Sequence, residues 1–399
     1  MGANGPIACE DGQAGPFPCE NVDLLGYVPL SEFGSESGNY IWGWTDPDTG
    51  GEYALMGLDD GTGFVDISEP TNPVYLGKLP THTDPSLWRD IKVYNNHAFV
   101  VSEARGHGMQ VFDLTRLRGV SEAQTWTADA HYDEFGNAHN IAINEDTGFA
   151  YSIGSDTCDG GPHMVNIKAP TDPTFAGCQA EDGYTHDTQV VVYNGPDERF
   201  QGREIAFNSN EDTLTIVDVT RKSQPEVLSR TPYIGFGYTH QGWLTEDQSH
   251  FLLGDELDEF VYGHNTKTYI FDVSNLTDPL RTLEAKSHTA ETEAIDHNLY
   301  FTGDYVHQAN YRAGYRLLDG SGVADGQLEE IGFFDIYPED DEAAFNGAWS
   351  NYPYFDGGIV AVSGIEQGLF VLDNRLGADE EEIVERPGKP KGPGRPDRP

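Results

Sequence analysis

The sequence predicts an all-β fold: a seven-bladed β-propeller closed by an N-terminal strand that completes the last blade. Three observations predict it. An apolar alternation ending in Asp recurs as GTGFVDI (residues 61–67), GMQVFDL (108–114), DTLTIVDV (212–219), TKTYIFDV (266–273), AGYRLLD (313–319) and QGLFVLD (367–373), with a weaker HMVNI at 163–167. Seven copies spaced by roughly 50 residues suit propeller blades, each a four-stranded sheet. Two strands precede the anchor in most units, and the 46 Gly and 23 Pro supply turns while no stretch sustains a helical period.

The elements follow in order. Residues 1–22 form an N-terminal arm. Residues 23–33 (DLLGYVPLSEF) are similar to PVYLGKL at 73–79, which is the fourth, outer strand of the first unit. The seventh unit stops at Asp373 and Asn374 without such a strand, so residues 23–33 are expected to supply it and remove an exposed sheet edge. One propeller domain then spans 23–376. From Gly377 the chain turns acidic and then Pro/Gly-rich and basic, the composition of a flexible tail.

The net charge of −44, from 67 acidic and 23 basic residues, makes nucleic acid and anionic membrane poor partners. With 20 Phe, 20 Tyr and 6 Trp in regular apolar repeats, the acidity does not signal disorder. It fits a saline or a calcium-rich exterior. Cys9, Cys19, Cys158 and Cys178 fall into two local pairs without any CxxC, which suggests two disulfides and an oxidising compartment, four reduced thiols or a zinc site being the rival readings. No membrane-spanning segment occurs, and the start shows no signal-peptide pattern, so a secreted protein would have lost its leader.

Aligning the repeats exposes a column of polar residues. Arg89, His139, His186, His240 and His297 lead the first strand of units two to six, and the residue four places on is always apolar: Val93, Ile143, Val190, Leu244 and Phe301. The first unit offers no ionisable group there, and NGAWSNY (346–352) of the seventh keeps the Trp of HQGW but not its His. In a propeller the first strand of each blade lines the central channel, so the four histidines are expected to converge at its mouth. Neutral imidazoles suit Zn²⁺, Fe²⁺ or Mn²⁺. Arg89 is expected to clamp an anion, or else to pair with Asp90 or Glu103. Asp90, Asn140, Asp187, Gln241 and Asn298 each follow a column residue; they either orient the imidazoles or, since successive strand residues face opposite ways, hold the adjacent blade. The bland alternative is a water-filled channel lined by polar side chains.

The run DELDE contributes Asp255, Glu256, Asp258 and Glu259 at the end of a second strand, on the same face as His240. Asp255 or Glu256 could add a carboxylate to the column, and the run could bind Ca²⁺, although no EF-hand loop is matched. His82, His97, His131, His250, His264 and His288 read as loop or surface residues, while His107 and His307 lie near second strands. The repeated Asp66, Asp113, Asp218, Asp272, Asp319 and Asp373 read as turn formers. GxSxG, HExxH and phosphate-loop motifs are absent, so an enzyme reading rests on metal or acid–base chemistry, for example on an acidic polysaccharide. The competing class is an extracellular module that binds glycan or protein, with the column as a polar plug or metal staple and Trp42, Trp44, Trp88, Trp243 and Trp349 as stacking candidates.

LTIVDV at 214–219 resembles the LVIVD repeat. The phrases LWRDIKVYNNHAFVVSE (87–103), GHGMQVFDLTRLRG (106–119), AHNIAINEDTGFAY (138–151), YTHDTQ (184–189), YTHQGWLTEDQ (238–248), GDELDE (254–259) and IDHNLYF (295–301) resemble the choice-of-anchor B family of bacterial exported proteins. The resemblance covers nearly all of residues 20–376. It implies a β-propeller carried to the cell exterior. It brings no activity and no catalytic residue, and no anchor motif follows the tail.

Overall fold

Seven sheets, antiparallel but for the short strand Gln124–Thr125 that pairs parallel with Val74–Pro80, succeed one another along the chain of the computed structural model, which describes residues 6–281 and 287–375. The expected tail from Gly377 lies outside the described residues. Each sheet is one blade, and its innermost strand packs against those of its neighbours. These innermost strands are Gly38–Thr45, Arg89–Tyr94, Asn140–Asn144, Asp187–Val192, Thr239–Leu244, Asn298–Thr302 and Ala348–Tyr352. The anchor repeat forms the third strand of every blade, His163–Asn166 included.

Five of the six anchor aspartates make the turns expected of them, whereas Asp373 lies inside its strand, opposite Asp23. In Asp66, Asp113, Asp218, Asp272 and Asp319, Oδ1 accepts the backbone N–H two residues on, at 2.8–3.0 Å. A short polar side chain ending an apolar strand in this way stops the strand and starts the next loop. Apolar side chains of adjacent blades share cores, as where Phe99, Val101 and Val111 of blade 2 meet Ile141, Ala150 and Val165 of blade 3.

Ring closure follows the expectation with a shorter strand. Val22–Pro29 pairs antiparallel with Gly368–Asn374 as the outer strand of blade 7. The chain then turns into a one-turn helix, Leu30–Phe33, ended by Gly34 at φ 63°, so the last four residues of the expected strand are helical. The helix buries Leu30 and Phe33 where blades 7 and 1 meet. Glycine is required at Gly26, where a Cβ would come within 2.5 Å of the Pro70 carbonyl oxygen of blade 1.

The arm is more ordered than a linker. Gln13–Ala14 and Phe17–Glu20 form a hairpin that continues blade 6 outward, Cys19 pairing with Phe334. Cys9–Cys19 ties this hairpin, and Cys158–Cys178 ties the loop before the third strand of blade 3 to the end of its outer strand. Blade 6 therefore has six strands rather than four.

Candidate metal centre at the channel mouth

Four histidines of the column meet as an arc. Ring centroids are 4.3 Å apart for His139 and His186, 4.2 Å for His186 and His240, and 4.4 Å for His240 and His297. All four are buried, which follows from their place at the start of innermost strands that converge on the axis. Blades 7 and 1 carry no histidine, and aromatic rings complete the circle instead. Trp349 lies 5.1 Å and Tyr311 4.5 Å from the His297 ring, and Tyr40 is 6.1 Å from Trp349.

Hydrogen bonds fix which nitrogen is available. His186 Nδ1 donates to the His240 carbonyl at 3.0 Å, and His297 Nδ1 donates to the Trp349 carbonyl. A proton held on Nδ1 leaves the Nε2 lone pair free for a metal or a proton. His240 Nδ1 closes no such bond, although the His297 backbone lies beside it and favours a proton there. Burial, followed by repulsion from the neighbouring rings, pushes His186 and His240 well below the ordinary histidine range, and burial holds His297 at about 3. The rings are therefore neutral at physiological pH, the form that ligates metal.

One carboxylate joins them. Glu256 places its oxygens 3.8 Å from His240 Nε2 and 3.6 Å from His297 Nε2, and accepts the Tyr311 hydroxyl at 2.6 Å. His186, His240 and Glu256 each offer one ligand atom, and the three lie within 4.8 Å of one another. Two neutral imidazoles and a carboxylate suit Zn²⁺, Mn²⁺ or Fe²⁺ and leave further coordination positions unfilled by protein. A cavity of about 230 Å³ is lined by His186 and Glu256 together with Trp88, Glu103, His139, Tyr184 and Tyr238, with His240 buried behind them. At its edge Glu103 holds His139 Nδ1 at 2.6 Å.

Arg89 occupies the column position in sequence but is no anion clamp. It is fully buried, and its guanidinium is committed to the Leu58 carbonyl at 3.0 Å, Thr81 Oγ1 at 2.8 Å and His107 Nε2 at 2.9 Å. Asp90 is paired with Lys92 at 2.7 Å, so the alternative pairing with Arg89 does not form either. The guanidinium ties blade 2 to blade 1. Arg89→Ala is expected to cost about 3–5 kcal/mol of stability, because it leaves buried carbonyls unpaired and opens a cavity; denaturant melts would show this, and metal content should be unchanged.

The residues after the column hold the next blade rather than the imidazoles. Asp90 accepts from Ile141 N at 2.9 Å, Asn140 donates to the His186 carbonyl at 3.0 Å, and Asn298 donates to the Trp349 carbonyl at 3.1 Å. Gln241 both accepts from and donates to the Leu299 backbone. Asp187 bonds the Thr188 N–H and faces a second cavity at the opposite end of the channel. There burial pushes its carboxyl up to about 7, with Asp90 adding to the rise and Lys92 opposing it. Strand alternation decided between the two readings of these residues.

The acidic run divides by role. Asp255 closes its own loop, accepting from the Tyr233 hydroxyl and the Gly237 and Tyr238 N–H groups. Glu256 faces the column, while Asp258 and Glu259 turn away from it beside His264. Of the tryptophans, Trp44 and Trp349 are core, Trp88 borders the histidine cavity, and Trp42 and Trp243 line the opposite cavity of about 680 Å³ together with Tyr300, Tyr352 and Tyr354. Sequence reasoning did not bring Tyr184, Tyr238 or Tyr311 to the site. The first two stand two places ahead of His186 and His240, a recurrence that could have revealed them.

Residues 50–81 match the LVIVD repeat. The chain is a seven-bladed propeller with that repeat. Comparison with curated proteins found no match. Among solved structures, the chain is similar to the Cps50 (Swd1) β-propeller domain of Myceliophteria thermophila, with a TM-score of 0.52 at 13% identity, covering 85% of this chain and 96% of that one. Hydrazine synthase of Kuenenia stuttgartiensis gives a TM-score of 0.54 at 11% identity over 78% and 88% of the two chains. U3-55K gives 0.50 at 13% identity over 84% and 95%. At such identities the likeness concerns the fold alone.

Proposed function

We propose that this LVIVD-repeat propeller is an exported protein of the choice-of-anchor B kind that binds a divalent transition metal through His186, His240 and Glu256. The metal would activate water or polarise a substrate oxygen in the channel mouth. The convergence of two neutral imidazoles and one carboxylate, of which His186 and Glu256 face an open cavity, carries this reading. The Tyr311 hydroxyl holds Glu256 in place, and His139, oriented by Glu103, is positioned to take a proton. Glu103 and Glu256 face the cavity and Arg89 does not, so an uncharged, ring-bearing substrate such as a neutral glycan fits better than an acidic polysaccharide. Two disulfides agree with an exterior location, and no helix among the described residues is long and apolar enough to cross a membrane.

The test is elemental analysis of purified protein beside His186→Ala, His240→Ala and Glu256→Gln. One transition metal per chain, lost in all three variants, is expected; metal retained in all three, or none in the parent after loading, refutes the site. A second reading is favoured by the opposite cavity. Its Trp42, Trp243, Tyr300 and Tyr354 rings, with Asp187 and Gln189 between them, form an aromatic cup suited to stacking a sugar without chemistry. Glycan binding that survives metal removal but fails in Trp243→Ala would support it.

A further inference from the structure

Behind the channel, between blades 5 and 6, three carboxylates are buried. Asp258 is 0%, Glu259 1% and Asp296 2% exposed. Neither oxygen of Asp296, nor Asp258 Oδ1, nor Glu259 Oε2 closes a hydrogen bond of good geometry, although the Asp255 backbone N–H lies close enough to favour the Asp296 carboxylate and Asp258 and Glu259 lie close enough to share a proton. The remaining oxygens are held: Asp258 Oδ2 accepts the Tyr269 hydroxyl at 2.7 Å, and Glu259 Oε1 accepts Lys267 N at 3.0 Å. His264 Nε2 lies 3.5 Å from Asp258 Oδ2, and Asp258, Glu259 and His264 offer ligand atoms within 4.8 Å of one another. Asp296 acts on Glu259, and Asp258 on Asp296, as a like charge, and no lysine or arginine is among the chief influences on any of the three.

Isolated buried carboxylates are costly, and three facing one another more so, unless protons or a cation neutralise them. The fold makes room for this arrangement. Gly254 lies against Asp296, where a Cβ would come within 2.5 Å of Oδ2. The free oxygens of Asp258 and Glu259, with the charge of Asp296 from the next blade beside them, suit a hard cation that takes oxygen ligands.

We propose that Asp258 and Glu259, with the charge of Asp296 beside them, bind one Ca²⁺, which clamps the segment 255–265 of blade 5 to the strand entry of blade 6. His264 covers the site from the loop side. Glu256 and His297, which meet in the channel, lie close in sequence to this cluster: His297 directly follows Asp296, and Glu256 stands two residues before Asp258. Ca²⁺ therefore orders the loop that delivers the channel carboxylate without itself entering the channel.

The experiment is calcium titration of chelator-treated protein by calorimetry and thermal melting, for the parent, Asp296→Asn, Glu259→Gln and His186→Ala. In the parent, Ca²⁺ should bind with one-to-one stoichiometry and raise the melting temperature. Asp296→Asn and Glu259→Gln should lose both effects while melting no lower than the parent in chelator, because each relieves repulsion between buried charges. His186→Ala should keep the calcium response, so failure of the channel site and failure of this one are separable. A parent that does not respond to Ca²⁺, or carboxamide variants that respond as fully as the parent, would overturn the proposal and leave the carboxyls as a protonated cluster.

Discussion

A chain beginning at Leu30 is expected to lose cooperative folding and to aggregate. The missing strand, Val22–Pro29, contributes the outer edge of blade 7 and buries Val22, Leu24 and Val28 against it. Full burial of such side chains is worth about 1.5–3 kcal/mol each. Three of them approach the whole net stability of a domain, about 5–15 kcal/mol. Their loss also bares the strand Gly368–Asn374, an apolar edge with unpaired backbone groups that can recruit other chains. Leu24→Ala alone should cost about 2–5 kcal/mol. Size-exclusion profiles and urea melts would read both effects, and a truncated chain that stays monomeric with an unchanged midpoint would show that blade 7 does not need its outer strand. A synthetic peptide covering residues 17–33 should rescue the truncated protein in part.

Acid is expected to weaken the fold through histidines buried without charge. His307 is sealed between the Tyr315 hydroxyl, 2.6 Å from Nδ1, and Thr302 Oγ1, 2.7 Å from Nε2. Burial holds its folded-state pKa at about 3, whereas the unfolded chain titrates near the ordinary value of about 6.5. As pH falls below about 6.5 the unfolded state takes the proton and the native state does not. The stability is thus complete above that value and declines until about pH 3. At roughly 1.4 kcal/mol per pKa unit, one such ring forfeits about 3 kcal/mol by pH 4. His107, also held at about 3 by burial and by the adjacent Arg89 guanidinium, acts in the same sense. Buried carboxyls such as Asp187 pull the other way, since the native state takes their protons first. The comparison must therefore be between parent and His307→Gln. The gap between them should narrow or reverse by about 3 kcal/mol from pH 7 to pH 4 in urea melts. A gap that stays constant over that range would mean the ring titrates freely in the folded protein.

The propeller and its closing strand were legible because each blade repeats one alternation and one anchor turn. A missing fourth strand at the C-terminal end then had only one matching segment. The histidine column was legible for the same reason: four copies of one position must converge where seven sheets radiate. Side-chain direction was less legible. Arg89 shares the column's backbone position, yet carbonyls of blade 1 and the buried His107 draw its guanidinium into the seam between blades. The acidic run read as one feature, but a tight turn at Asp255 and the helix Asp258–Tyr262 send successive carboxylates in three directions. Asp296 was hidden by standing next to His297, and only packing against Gly254 of the neighbouring blade gives it meaning.

The pairing of Val22 with Asn374 joins nearly the whole length of the chain, and the hairpin before it is built into blade 6. Neither of the last two blades can be finished when the N-terminus emerges from the ribosome; both wait for strands made hundreds of residues later. A closure of such long loop length is slow to form. The ring therefore locks only after its last strand has been made, whatever the earlier blades have already done.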